Sequence, residues 1–441
     1  PLAQLLRDKR KEVRAEVVRA FGRFTDKRLL PLLKQVMDTD PTSEVRTLAA
    51  EVLREMSTRL KVQTDTSGTT MAVSSESMEL PIDKLLAWVR EQGGSDLHIT
   101  CGEPPFWRQS GSLVRIEGQD VISPDQCREM VLSTLKPYQR KIFDEAGEVD
   151  FCYSIPEVGR YRANAFEQRL GTCATFRVIP NLPPTFADLR IPGRLTELLD
   201  FHQGLIVVSG PAASGKSTTL AAIVNLINES KPTHVITMEE PIEFVHPIKT
   251  ALINQREIGS HTENYARALR GALRQDPDVI MVGELRDPEV IAMALEAAET
   301  GHLVIATLHT TSALATVDRI IKSFPPEEQG QVRMGLSEAL KYVICQSLLP
   351  RKDGDGRVAV FEILKTTFSL SSVIREDKLQ LIPSMMQIGR NVGMQTVDMA
   401  LEDLVEAGLI SPESAWARAD KQELFEPLCD PSFLAEHKAV S

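Results

Sequence analysis

The residues best suited to chemistry in this 441-residue chain lie between positions 160 and 310. Gly210, Pro211, Ala212, Ala213, Ser214, Gly215, Lys216 and Ser217 fit the pattern G-x-x-x-x-G-K-[ST]. Backbone N–H groups of such a loop, with those of the helix that follows, surround the anionic phosphates of a nucleotide. Lys216 is placed to reach the β- and γ-phosphates and the Ser217 hydroxyl to ligate Mg²⁺. Gly210, Ala213, Ser214, Gly215 and Thr218 complete the expected cradle for ATP.

Two apolar runs deliver carboxylates beyond it. The first, 235–238, ends in Glu239, Glu240 and Glu243, of which Glu240 and Glu243 are candidates to hold Mg²⁺, partly through water. Glu243 is also a candidate catalytic group. The second, 279–282, ends in Gly283 and Glu284. Hydrolysis needs a base or orienter for water near the γ-phosphate, and Glu284 is the candidate. His302 and His309 bracket a third apolar run and are read as γ-phosphate sensors. Arg160, Arg162 and Arg177 could neutralise transition-state charge, as phosphoryl transfer requires.

The elements that must position these groups are legible from patterning. From about residue 195 short apolar runs at 205–209, 235–238, 279–282 and 303–307 alternate with helical segments, which predicts an α/β fold with a buried parallel sheet. The loop follows the first of these strands and opens a helix over 217–228, as its chemistry demands. Beyond residue 361 the pattern turns helical. Between about 80 and 184, strands are expected at 96–100, 113–116, 161–166 and 174–179, with a helix at 125–135. Residues 61–79 are rich in Ser, Thr and Gly and read as a flexible linker. In 1–60, Glu12, Val13 and Arg14 recur as Glu44, Val45 and Arg46 amid helical apolar spacing, a pattern similar to HEAT-type repeats.

Bulk composition narrows the classes further. A net charge of −11 argues against broad nucleic-acid binding. No run approaches the 18 or more apolar residues of a membrane-spanning helix. Six scattered cysteines without a C-x-x-C pair do not match structural zinc spacing and suggest free thiols in a reducing cytosol.

With these residues assembled, the chain from about 80 to 426 closely resembles the PilT-type retraction ATPases of type IV pili, within the secretion-ATPase superfamily. The resemblance runs through Ser95 to His98, Gly159 to Arg162, Phe176 and Arg177, the phosphate loop, and the acidic box 239–243. It continues through Gly283 to Asp287, Thr300 to His302, and Thr307 to Thr310. It implies a RecA-like ATPase domain over 189–441, with a helical C-terminal part, preceded by a smaller α+β PAS-like domain over 80–188 and the all-α HEAT-like segment over 1–60. It further implies arginine fingers at Arg162 and Arg177, a catalytic Glu284 and histidine-box residues His302 and His309.

The implied function is a homohexameric, Mg²⁺-dependent ATPase, cytoplasmic and peripheral at the inner membrane. It would act on an inner-membrane pilus platform protein to drive retraction and twitching motility. Alternatives are an assembly or type II secretion ATPase, an accessory PilU-like paralogue, and an ATP-switched scaffold without turnover. Residues 1–60 imply a further, unidentified protein partner. The sequence departs from the family pattern at Ala212 and Ala213, which replace Thr and Gly, at Glu240 in place of Asp, and at Ser371 and Ser372. Ala213 stands where Gly would tolerate φ > 0 without cost.

Overall fold

The structure, a computed structural model, describes residues 81–109, 111–354 and 356–438, with isolated positions between 11 and 52. The expected linker over 61–79, and most of the expected helical repeats of 1–60, lie outside the described residues. The chain packs as two units, one formed by Pro1–Ser133 with Leu170–Cys173 and the other by Thr134–Arg169 with Ala174–Ser441. The expected boundary at 188 falls inside the second unit.

In the first unit, helix α1 (Pro81–Glu91) begins on Pro81 and carries Asp83 in its first turn and Arg90 in its last. Both charges complement the helix dipole. Its buried stripe includes Ile82, Leu86 and Val89. Strands β1 (Asp96–Ile99), β2 (Phe106–Gln109) and β3 (Ser112–Arg115) form an antiparallel meander in which Leu97 faces Trp107 and Trp107 faces Val114. The Trp88 ring of α1 meets that of Trp107 edge-on at 4.9 Å. Helix α2 (Pro124–Ser133) follows. The thiols of Cys101 and Cys127 donate to the Thr172 carbonyl at 3.0 and 2.9 Å.

The second unit opens with helix α3 (Pro137–Ala146) and strands β4 (Glu148–Ile155) and β5 (Gly159–Gln168). These strands pair antiparallel from Glu148 opposite Phe166 to Ile155 opposite Gly159. Strand β6 (Gly171–Ile179) carries Arg177.

A seven-stranded sheet then organises the rest. Its strands are β7 (Gly204–Ser209), β8 (His234–Glu239), β9 (Leu252–Glu257), β10 (Val279–Val282), β11 (Leu303–Leu308), β12 (Leu340–Pro350) and β13 (Arg357–Lys365). They lie in the order β13-β12-β7-β11-β10-β8-β9, all parallel except β13, which pairs antiparallel with β12. Helices intervene in sequence, among them α4 (Lys216–Ser230), α5 (Tyr265–Ala272), α6 (Pro288–Glu299), α7 (Ala313–Lys322) and α8 (Gln329–Ala339).

Side-chain alternation explains why the central strands read as unbroken apolar runs. Leu205, Val207, Ile280, Val282, Val304 and Ala306 enter one core, shared with Val290 and Ile291 of α6 and Val317 and Ile320 of α7. Ile206, Val208, Val279, Met281, Leu303 and Ile305 enter a second core on the opposite face, shared with Leu220, Ile223 and Ile227 of α4. A strand buried on both faces has no polar side to alternate. The short helices beyond β13 close over a third cluster containing Val360, Leu401, Trp416 and Phe425. Among the described residues no helix is long and apolar enough to cross a membrane.

The central position of β11 sets the first expected outcome. Ile305 is wholly buried in the second core. Replacing it with Ala should remove about 2–5 kcal/mol of stability, the usual cost of an Ile cavity. A fall in the denaturant midpoint with unchanged slope measures this, and a parental midpoint contradicts the packing described.

Candidate functional site: a phosphate cradle and its charged rim

The loop between β7 and α4 leaves the core at the carboxyl edge of the sheet, where parallel sheets place their ligands. Its conformation depends on missing side chains at two points. Gly210 has φ of 149°, and a Cβ there would sit 2.2 Å from the Gln346 carbonyl oxygen. Gly215 has φ of 89°, and a Cβ there would lie 2.8 Å from Gln346 Nε2. Between them Ala213 adopts φ of 60°, the left-handed region. For a residue with a Cβ this conformation costs about 1–2 kcal/mol.

Gln346 fixes the loop from the neighbouring strand. Its Nε2 donates to the Ser214 carbonyl at 2.6 Å, and its Oε1 accepts from Thr219 Oγ1 at 2.6 Å. One amide thus ties the last turn of the loop to the first turn of α4. The Ser214 hydroxyl is buried without a hydrogen-bond partner. Lys216 is only 8% exposed, and its Nζ donates to the Gly210 and Pro211 carbonyls at 2.9 and 2.8 Å. Desolvation lowers its pKa, while the negative charge of Glu284 acts in the opposite sense. The ammonium is held at the loop mouth by neutral acceptors that an anion can replace.

Carboxylates and their counter-charges line the opposite rim. Glu239, at the end of β8, accepts from Thr237 Oγ1 at 2.6 Å and Gln255 Nε2 at 3.0 Å. Burial outweighs these bonds and pushes its pKa up to about 7. Glu284 Oε2 pairs with Arg286 Nε at 2.7 Å, and Glu284 Oε1 lies 3.3 Å from His309 Nε2. The other ring nitrogen of His309 is 3.3 Å from Lys216 Nζ. Arg286 Nη1 also reaches Glu240 Oε2 at 2.5 Å. Arg162 of β5 pairs with Glu243 Oε1 at 2.6 Å. Arg160 donates to the Ile242 carbonyl at 2.7 Å, which anchors the acidic loop to the same strand.

A cleft of about 640 Å³ joins these groups, lined by Ala213 to Thr218, Glu240, Glu243, Glu284 and His309, and also by Arg162 and Arg177. Gly210 does not line the cleft, and its carbonyl accepts from Lys216 Nζ. Two further expected residues do not line the cleft: Arg160, whose guanidinium is taken up by the Ile242 carbonyl, and His302. His302 stands at the amino end of β11, its Nδ1 3.0 Å from the Ala297 carbonyl oxygen, whereas His309 follows the carboxyl end. Six residues of strand separate them by about 20 Å.

Sequence reasoning missed Gln346 and Arg286. Arg286 sits within the run from Gly283 to Asp287 and could have been weighed as a partner for Glu284. No local signal marked Gln346, which is 132 residues from Ser214 in sequence.

The chemistry available is therefore anion binding at a helix amino terminus, with a carboxylate beside a histidine and two arginines facing the cradle. Losing the Gln346 amide should loosen that cradle. Gln346→Ala is expected to weaken nucleotide binding about tenfold, since a lost buried hydrogen bond costs about 1–3 kcal/mol. Titration with a fluorescent nucleotide measures this, and parental affinity in a folded variant refutes the role.

Comparison with known proteins agrees with this geometry. The family described as type II/IV secretion system protein matches residues 74–408, and HEAT repeats match residues 1–60. The twitching motility protein of Neisseria gonorrhoeae is 49% identical over 319 residues, covering 72% of this chain and 85% of that protein. The type IV pilus retraction ATPase PilT of Pseudomonas aeruginosa is 46% identical over 346 residues, covering 78% of this chain and 100% of that protein. A crystal structure of the pilus retraction motor PilT with bound ADP superposes with a TM-score of 0.73 at 42% identity, over 79% of this chain and 100% of the other. Because the family match runs through every strand and loop that lines the cleft, this chain belongs to the type II/IV secretion system protein family.

Proposed function

We propose that this chain is an ATP-hydrolysing motor that drives type IV pilus retraction. The observation that carries the proposal is the placement of Arg162 and Arg177. They reach the cleft from strands outside the seven-stranded sheet, yet line the same space as the Lys216 loop. Occupancy and hydrolysis at the loop therefore pull on a second structural element, which is what a motor requires. The likeness to retraction ATPases over most of their length supports the same reading.

Each residue then has a defined task. Lys216 exchanges the carbonyls of Gly210 and Pro211 for the β- and γ-phosphate oxygens of ATP. Glu284 accepts the proton of the attacking water. Arg162 leaves Glu243 for the γ-phosphate and, with Arg177, stabilises charge that grows in the transition state. His309, between Glu284 and Lys216, reports whether that phosphate is present, and the sensor role first read for His302 does not extend to this cleft.

The residues also fit a divalent cation. Among the described residues no three His, Cys, Asp or Glu side chains converge on one point, so such an ion would take most of its ligands from phosphate and water. The Ser217 hydroxyl would contribute one ligand, with Glu243, once Arg162 turns to the phosphates, and Glu240, still paired with Arg286, holding its waters. Bound Mg²⁺ supplies charge neutralisation at the transferred phosphoryl group.

At the level of assembly, we assign 80–188 as the PAS-like domain and 189–441 as the RecA-like domain of a homohexamer. The ring works from the cytoplasmic side on an inner-membrane pilus platform protein. Residues 1–60, matched by HEAT repeats, dock a further protein partner.

Separation of binding from chemistry tests the site. Lys216→Ala should lose both ATP binding and hydrolysis. Glu284→Gln should bind ATP as the parent does while turning over about 10²–10⁴-fold more slowly, the usual contribution of a positioned base. Nucleotide titration beside a phosphate-release assay measures both, and equal loss of binding in Glu284→Gln removes its assigned role.

Motion in the cell tests the direction of force. Cells whose copy of this gene is deleted should carry excess surface pili and fail to twitch, as scored by electron microscopy and agar-surface spreading. Absent pili would mean an assembly motor instead, and unchanged piliation with normal twitching would mean neither.

A further inference from the structure

Glu284 and Glu240 end neighbouring strands. Val282 of β10 lies opposite Met238 of β8, and the Gly283 N–H donates to the Met238 carbonyl at 2.7 Å. Two residues further along each strand's path, Glu284 and Glu240 both line the cleft, and their carboxylates lie close enough to share Arg286. Like charges so placed repel, and neither would hold a fixed direction unaided.

Arg286 resolves this conflict. Its Nε donates to Glu284 Oε2 at 2.7 Å and its Nη1 to Glu240 Oε2 at 2.5 Å, so one planar guanidinium bridges both acids. The guanidinium carbon lies 5.6 Å from the centre of the Tyr265 ring, a cation–π contact that fixes the plane of the fork. Tyr265 is close because residue 283 has no side chain: a Cβ there would sit 2.9 Å from the Tyr265 hydroxyl. The remaining oxygen of Glu284 faces His309. Its carboxylate is therefore held from two sides, which an exposed ion pair between mobile side chains would not achieve.

We propose that Arg286 is a positioning residue, which aims Glu284 at the attacking water by bridging it to Glu240 across the ends of β8 and β10. This rests on the reading of Glu284 as the group that activates water. The bridge needs a fork with two separated donors, so lysine, a single compact charge, cannot replace it.

Steady-state ATPase kinetics on the full assembled chain test the idea. Arg286→Ala should lower kcat about a hundredfold, as loss of aim at the reacting centre does. KM and the affinity for a non-hydrolysable ATP analogue should stay near parental. Arg286→Lys should recover only part of the loss. Glu240→Gln, which weakens the bridge from its other end, should lower kcat in the same direction but less.

The deciding measurement is the double variant. In a Glu284→Gln background, Arg286→Ala should cost nothing further, because a positioning residue has no effect once its target is gone. A multiplied loss in the double variant, or loss of ATP-analogue affinity equal to the loss of turnover, overturns the positioning role. Parental turnover in Arg286→Ala beside an inactive Glu284→Gln overturns it while leaving the Glu284 assignment standing. Parental turnover in Glu284→Gln overturns both.

Discussion

A loop that binds phosphate through its backbone must keep its amides pointed inward before any phosphate arrives, and in this chain the Gln346 side chain does the holding. Its two hydrogen bonds, to the Ser214 carbonyl and the Thr219 hydroxyl, clamp the turn that leads into α4. Side chains at Gly210 and Gly215 would collide with Gln346, the first with its backbone carbonyl and the second with its amide nitrogen. The glycines of the motif are therefore dictated twice, once by their left-handed backbone and once by a residue of the adjacent strand. Ala213 departs from this economy, because it holds a φ of 60° with a Cβ present. Local strain of this kind persists only where surrounding structure over-determines the backbone.

Around the cradle the charges are already balanced. Lys216 rests on carbonyls, Arg162 on Glu243, and Arg286 on Glu240 and Glu284. A nucleotide entering this cleft does not meet bare charge. It exchanges one set of partners for another, and the net gain is the difference between them rather than the full attraction of each cation. The Arg162–Glu243 pair couples β5 to the acidic loop that follows β8. Arg160, on the same strand as Arg162, donates to the Ile242 carbonyl and so ties the acidic loop to β5 a second time.

Much of this was legible in the sequence for a simple reason: the decisive features are local. The phosphate loop is a contiguous pattern between an apolar strand and a helix. The strands β7, β8, β10 and β11 are buried on both faces, so they stand out as unbroken apolar runs, and their carboxyl ends locate Glu239, Glu240, Glu284 and His309. Of the same sheet, strands β9, β12 and β13 were not read, nor were β2 and β4 before it. In β9, Gln255, Arg256 and Glu257 break the apolar run, and the eleven-residue β12 merges with the helix before it.

What only the tertiary structure decided is which of these local features meet. Sequence placed His302 and His309 symmetrically about one strand, but a parallel strand has a functional end and a structural end, about 20 Å apart. Only His309 stands at the functional end. Arg162 and Arg177 were candidates without an address until the fold brought them to the cleft of the Lys216 loop. Gln346 could not be found at all, because β12 lies next to β7 in the sheet though far from it in sequence. Sequence by itself determined the chemical kind of the site, since backbone cradles and strand-end carboxylates are written in neighbouring residues. The partners of each charge depended on strand order, which is set by how the whole sheet buries its two faces.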